Sequence, residues 1–262
     1  MVRKACIVIF KIHLFILFTG CASESIPIKD QISTKYNKGV ELYKLEKYSK
    51  AKELFEYVIL YSTGSRLALE SEFYLAESLY NLKEYEEAIF SYDNYARSSQ
   101  NLELIELSRF RLCQCSYNLT DDYRKDQTNT LDALEKINIF LEDYPESEYG
   151  SESDLLRKKL IHRLAKKEYE SARLYMKLGE YESALIYLYN ILQDYNDVDI
   201  ADDTRLLIML NYMLDNKIDL ANGFYEKEVN QFYSLEKRSE ALELMEAGKD
   251  SSKFSNYLRL FK

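Results

Sequence analysis

"LEKYSKA" (Leu45–Ala51), "LKEYEEA" (Leu82–Ala88) and "LGEYESA" (Leu178–Ala184) align without gaps. Twelve residues before each closing alanine stands a second small residue, Gly39, Ala76 or Ala172, and four after it stand Phe55, Tyr92 and Leu188. Two helices approach closely where their facing positions lack bulk, so a small residue on either side of a short polar break predicts a helical hairpin. The tyrosine three before each alanine is placed to plug the gap at the turn.

This order of small, small and aromatic positions resembles the tetratricopeptide pattern, which implies an all-α fold: a tetratricopeptide-repeat α-solenoid of about five helix hairpins. A stretched copy has its first helix near Leu102 to Asn118, the intervening "LTDDYRKDQTNT", then Ala133, Ile137 four later and Pro145 twelve later. The landmark alanines Ala51, Ala88, Ala133 and Ala184 are therefore spaced by 37, 45 and 51 residues, against about 34 for a minimal unit. Between Ser153 and Leu178 neither proline nor glycine interrupts, and Leu155, Leu156, Leu160, Leu164, Tyr169 and Ala172 recur near helical spacing, which predicts one long helix joining an N-terminal set of repeats to a C-terminal set. Beyond Ile200 two placements of the next turn are open. Either it falls at Asp215-Asn216, or a helix persists to about Phe232 before a last helix at Leu235 to Ala247; the longer helix is preferred.

The N-terminus reads as a leader rather than as fold. Arg3 and Lys4 precede a run that is apolar to Phe18 apart from Lys11 and His13, the charge order of a secretory signal. The run is too short for a comfortable membrane span of about 20 residues. It ends in Leu17-Phe18-Thr19-Gly20-Cys21, which resembles the lipobox of bacterial lipoproteins, although Phe18 is bulkier than usual there. The resemblance implies that Cys21 is a lipid anchor, and Ala22 after it implies outer-membrane sorting. The expected organisation is a signal peptide over 1–20, a lipid-anchored tether over 21–30, repeats one to three over 31–150, repeats four and five with the long helix over 151–247, and a tail over 248–262 in which Tyr257, Leu258 and Phe261 dock back.

Removing the leader takes away three basic side chains and leaves 32 against 44 acidic, a formal −12. Such a surface repels phosphate backbones, so nucleic acid is not an expected partner, and anionic headgroups are disfavoured likewise. Cys113 and Cys115, two apart on a helix, point away from each other and read as small core residues. After the leader one histidine remains, His162, and no HExxH, GxSxG or GxxxxGK[ST] motif is present. The reading is of a non-enzyme with no catalytic residues, no metal site and no cofactor.

The order of parts is more specific than the repeats. A lipobox, the tether "ASESIPIKD", the repeats, the insert "RKDQTNTLDALEKINIFLEDYPESEY" and the stretch "RLAKKEYESARLYMKLGEYESALIYLYNILQDY" (Arg163–Tyr195) together resemble the BamD family of lipoproteins. Members serve the machinery that folds β-barrels into the bacterial outer membrane. The resemblance implies two partners at the periplasmic face of that membrane: a BamA-like barrel protein with periplasmic repeats, met mainly by the C-terminal repeats, and unfolded outer-membrane β-barrel proteins, met by the N-terminal ones. The inner leaflet is reached through lipidated Cys21.

In a hairpin stack the first helices line the concave face, and residues three or four apart share a side. Tyr36, Val40 and Tyr43 fall together, as do Phe73, Glu77 and Tyr80, giving apolar bodies with polar tips suited to an extended peptide. Tyr36, Tyr43, Phe73 and Tyr80 are therefore the expected substrate-peptide groove, with about half of such residues expected in the core. For docking the barrel protein, the position matching the family's basic contact is Tyr187, so an ion pair there gives way to a hydrogen bond or stacking. Tyr187, Asp194 and Tyr195 form the expected docking patch. The competing reading is another periplasmic tetratricopeptide-repeat lipoprotein that scaffolds cell-wall or transport machinery.

Overall fold

The computed structural model of the chain describes residues 28–195, 199–249 and Phe254. The leader, Cys21, and the tail residues Tyr257, Leu258 and Phe261 lie outside the described residues. Among the described residues there are eleven α-helices and no strand: α1 (Ile28–Lys44), α2 (Tyr48–Tyr61), α3 (Arg66–Leu82), α4 (Tyr85–Ser98), α5 (Leu102–Asn118), α6 (Thr128–Asp143), α7 (Gly150–Leu178), α8 (Tyr181–Asp194), α9 (Ile200–Leu214), α10 (Ile218–Glu228) and α11 (Leu235–Ala247).

The three aligned motifs are the hairpin corners. Each closes its first helix with the same pair of backbone bonds. Glu46 N–H donates to Tyr43 O and Lys47 N–H to Leu42 O; the same pattern joins Lys83 to Tyr80 and Glu84 to Leu79, then Gly179 to Met176 and Glu180 to Tyr175. These are Schellman caps, which need one residue in the left-handed region. That residue is Glu46 (φ 57°), Lys83 (φ 64°) or Gly179 (φ 78°). A fourth cap of the same form joins Asn216 (φ 55°) to Met213 and Lys217 to Tyr212.

The turn after α9 therefore falls at Asp215-Asn216, and the longer helix preferred from the sequence is not formed. Asn216 adopts the left-handed conformation more readily than most side chains, and its cap satisfies carbonyls that a continuing helix would otherwise use. Ala221 then sits where the landmark alanines of the other hairpins sit, 37 residues after Ala184 as Ala88 is after Ala51. Ala51, Ala88, Ala133, Ala184 and Ala221 are all fully buried.

The chain divides into two compact units, with the boundary after Ser71, inside α3. In the first, α1 packs on α2 around Ala51, Phe55 and Val58. A Cβ added to Gly39 would stand 2.8 Å from the Phe55 ring, which is why a glycine occupies this contact. In the second unit consecutive helices pack from α4 to α10, and the first helices of the hairpins also touch in series, α5 on α7 and α7 on α9.

The 29-residue α7, about 43 Å long at 1.5 Å per residue, serves two cores. Leu156 and Leu160 join Phe110, Cys113, Ala133 and Ile137, whereas Ala172 and Met176 join Ala184, Leu188, α9, Ala221 and Leu244. Helix α9 is buried nearly all round, which accounts for its unbroken apolar run. Its one large polar side chain, Arg205, is 2% exposed and faces Asp202 and Glu228, each at 3.3 Å. Asp202 also accepts the backbone N–H groups of Tyr233 and Ser234, fixing the entry to α11. Phe254 packs against this C-terminal core.

Cys113 and Cys115 are free, buried thiols, as their spacing implied. Burial pushes both up to about 12, so neither is an activated nucleophile. Pro145 follows Tyr144, the residue that caps α6, where it prevents further helix. The insert before α6 is a closed loop: Gln127, itself buried, donates to Asp122 O and Lys125 O at 3.0 Å, and Asp126 accepts from Thr128 N–H at 2.8 Å. None of the described helices is long and apolar enough to cross a membrane.

Candidate functional site

Tyr36 and Tyr43 lie two turns apart on α1, each half-buried. The Tyr36 ring meets Phe55 edge-on at 6.3 Å and Tyr43 meets Tyr48 edge-on at 5.5 Å. Each therefore packs on an aromatic ring of its own hairpin and is partly accessible, with its ring orientation restricted by that contact. Beside them the Lys35 ammonium stands 4.2 Å over the Tyr57 ring.

Phe73 and Tyr80 repeat the geometry on α3. Phe73 meets Tyr92 edge-on at 6.5 Å and tilts on Tyr95 at 5.2 Å, and Tyr80 meets Tyr85 edge-on at 6.0 Å. The Arg111 guanidinium lies 4.7 Å over the Tyr80 ring. Burial pushes the Tyr80 hydroxyl above its ordinary range.

Glu77, expected to share an open face with these aromatics, is 6% exposed. It accepts from Tyr92 Oη at 2.6 Å and from Arg111 Nε at 3.2 Å. From Arg111 the polar chain continues to Gln114 at 2.9 Å and on to Glu152 at 2.7 Å, linking α3, α4, α5 and α7. Helical spacing correctly grouped Glu77 with Phe73 and Tyr80 but did not show that this side turns inward at its centre. The partners of Glu77 lie 15 and 34 residues away, so no local pattern announces them.

On α8 the Tyr187 ring stacks on Tyr175 of α7 at 5.3 Å and 18°. A hydrogen bond with Tyr175 pushes the Tyr187 hydroxyl up. Asp194, seven residues on and so nearly in line with Tyr187 along the helix, is exposed. Tyr195 caps the helix and packs, half-buried, against Ala165, Ile191 and Ile200. The helix thus brings Tyr187 and Asp194 to one face, while Tyr195 is partly committed to the core. Nearby, Tyr189 and Tyr212 share a hydroxyl contact of 3.0 Å, and Ile186 is 64% exposed.

Among the described residues no group of three His, Cys, Asp or Glu side chains is placed to hold a metal. Hairpins with left-handed corners, buried alanines at their crossings and half-exposed aromatics on their first helices define a helical-hairpin repeat protein of tetratricopeptide type.

Comparison with known proteins narrows the class. The model of the YfiO family, described as outer membrane lipoprotein, matches residues 29–222, and the chain belongs to that family. The outer membrane protein assembly factor BamD of Rickettsia prowazekii (strain Madrid E) is 24% identical over 197 residues, covering 74% of this chain and 78% of that one. A thermophilic tetratricopeptide-repeat protein of Thermus thermophilus, of known crystal structure, is similar at 18% identity and a TM-score of 0.35, covering 80% of this chain and 97% of that one.

Proposed function

We propose that this protein is a lipid-anchored subunit of an outer-membrane β-barrel assembly complex, working at the periplasmic face by contact and not by catalysis. The observation that carries the reading is the family match across residues 29–222 together with similarity to a named assembly factor over most of both chains. Cys21 is the anchor: two or more acyl chains on one residue hold a protein firmly where one chain binds only marginally.

Two kinds of contact divide the work. Tyr36 and Tyr43 in the first unit and, independently, Phe73 and Tyr80 in the second receive extended segments of unfolded barrel proteins. Their half-buried rings are held by their own hairpins and offer apolar area without demanding one sequence. Tyr187 and Asp194, with Tyr195 at the helix end, meet the barrel protein that carries periplasmic repeats. The stack of Tyr187 on Tyr175 stands where the family's basic contact would be, so docking there uses ring contact and a hydroxyl instead of an ion pair.

Photocross-linking tests both assignments. A benzophenone amino acid at position 43 or 80 is expected to capture unfolded barrel chains, and one at 187 the barrel protein with periplasmic repeats. Capture of neither sinks the assignment of these surfaces. Mass spectrometry of the membrane-bound N-terminus tests the anchor, and an unmodified Cys21 would contradict it.

A further inference from the structure

Residues 157–167, "RKKLIHRLAKK", carry six formal positive charges and no acid, within a chain whose formal charge is −9. All lie on α7, and the structure shows how the charges are used. Arg157 and Lys158 share Asp154, and Lys166 pairs with Glu170. Lys159 and Arg163 have no carboxylate within ion-pair distance among the described residues. Both approach the ring of Tyr117, at 5.9 and 5.8 Å, and Arg163 also donates to Thr120 Oγ1. Lys167 donates to Lys125 O at 2.7 Å. The insert loop and Tyr117 thus meet Lys159 and Arg163 with neutral groups and leave those two charges unneutralised, whereas Lys167 lies near the carboxylates of Asp126 and Glu168.

Leu155, Lys159, Arg163 and Lys167 are spaced by four, so they form one ridge along the helix with a rise of about 6 Å per step. An extended peptide repeats its side-chain direction every two residues, about 6.7 Å. Acidic side chains at alternate positions of such a peptide would therefore meet successive cations of the ridge. At its N-terminal end the ridge borders a shallow pocket of about 380 Å³ lined by Leu155, Arg157, Lys158, Lys159, Ile161, His162 and Asp199. Leu155 is 51% exposed there, and the pocket has room for one apolar side chain.

We infer that this face of α7 binds an extended acidic segment of a partner protein, with acids at alternate positions and an apolar anchor at one end. The inference goes beyond the substrate and docking surfaces proposed above and does not require either. A planar anionic membrane is a poorer fit, because it would bring the acidic remainder of the surface within a Debye length of about 8 Å of like charge. A single strand follows the ridge without doing so.

The test uses the full chain and a fluorescein-labelled peptide with glutamate at alternate positions and a terminal leucine. The same peptide with glutamine in place of glutamate, and phosphatidylglycerol vesicles, serve as controls. Binding of the glutamate peptide alone is expected, weakening as salt rises. Lys159→Glu should reduce affinity by about tenfold, because reversing the charge turns an attraction for the peptide's glutamate into a repulsion. Lys159 is exposed, so this change leaves the core intact. Acetylation footprinting should show Lys159 protected by the peptide in the unaltered protein. Absence of peptide binding, equal binding by Lys159→Glu, protection elsewhere only, or preference for vesicles would each overturn the inference.

Discussion

Gly39 and Gly223 are both helical glycines, and they predict opposite outcomes for one substitution. Alanine in place of glycine within a helix gains about 1 kcal/mol of propensity. At Gly223 a Cβ meets nothing within 4 Å, so Gly223→Ala should stabilise by about 0.5–1 kcal/mol. At Gly39 three atoms of the Phe55 ring lie within 3.2 Å of the added carbon, and Phe55 is fully buried with Tyr36 against its edge. Overpacking costs about 1–3 kcal/mol, so Gly39→Ala should give a net loss of about 1 kcal/mol. Urea midpoints read both, and two shifts of the same sign would contradict this account of the α1–α2 contact.

The thiols give a pH dependence at the same scale. Cys113 and Cys115 are raised by burial from 9.0 to about 12. Above the unfolded value the unfolded chain releases these protons and the folded chain does not, so the native state binds more protons and stability falls as pH rises. This contribution is fully present below about pH 9 and is lost between about pH 9 and 12. Urea midpoints measured across that range should fall, and the Cys113→Ala/Cys115→Ala variant should show a shallower slope over the same interval. An unchanged slope would mean that the thiols titrate alike in both states.

At the scale of elements, the corners carry the fold. Glu46, Lys83 and Asn216 hold the left-handed conformation that Gly179 holds without strain. A side chain there costs about 1–2 kcal/mol, partly offset by glycine's greater backbone entropy in the unfolded chain. Lys83→Gly is therefore expected to raise stability by about 0.5 kcal/mol and Gly179→Ala to lower it by about 1 kcal/mol, with calorimetry as the check. If Lys83→Gly destabilises, the cap is not what limits that corner. These corners were readable because the motif around them repeats. The fifth hairpin was harder to read: Ile218 stands where the three aligned copies have tyrosine, and Met209 stands twelve before Ala221 where those copies have glycine or alanine. With two landmarks altered, only Asn216 marked the turn, and the apolar run of α9 favoured a longer helix. The inward turn of Glu77 was hidden for a different reason, since its partners come from other helices and spacing along one helix cannot supply them. The basic run on α7 was open to view in the sequence, but that Lys159 and Arg163 have no carboxylate within ion-pair distance among the described residues became apparent only when the neighbouring acids and Tyr117 were placed.

For the whole molecule, membership in an outer-membrane lipoprotein family, an excess of acidic side chains and a series of helical hairpins are what the proposed role in holding other proteins rests on. The aromatic rings on α1, those on α3, the Tyr187–Asp194 face of α8 and the cationic ridge of α7 are proposed contact surfaces of different chemistry, and on that proposal a change at one is expected to leave binding at the others intact. The most direct measurement is affinity purification of the tagged full-length chain from gently solubilised membranes, with the recovered proteins identified by mass spectrometry. The account predicts recovery of a protein with a membrane barrel and periplasmic repeats, reduced when Tyr187 and Asp194 are both replaced by alanine. Recovery of cell-wall or transport machinery with no barrel protein would contradict it.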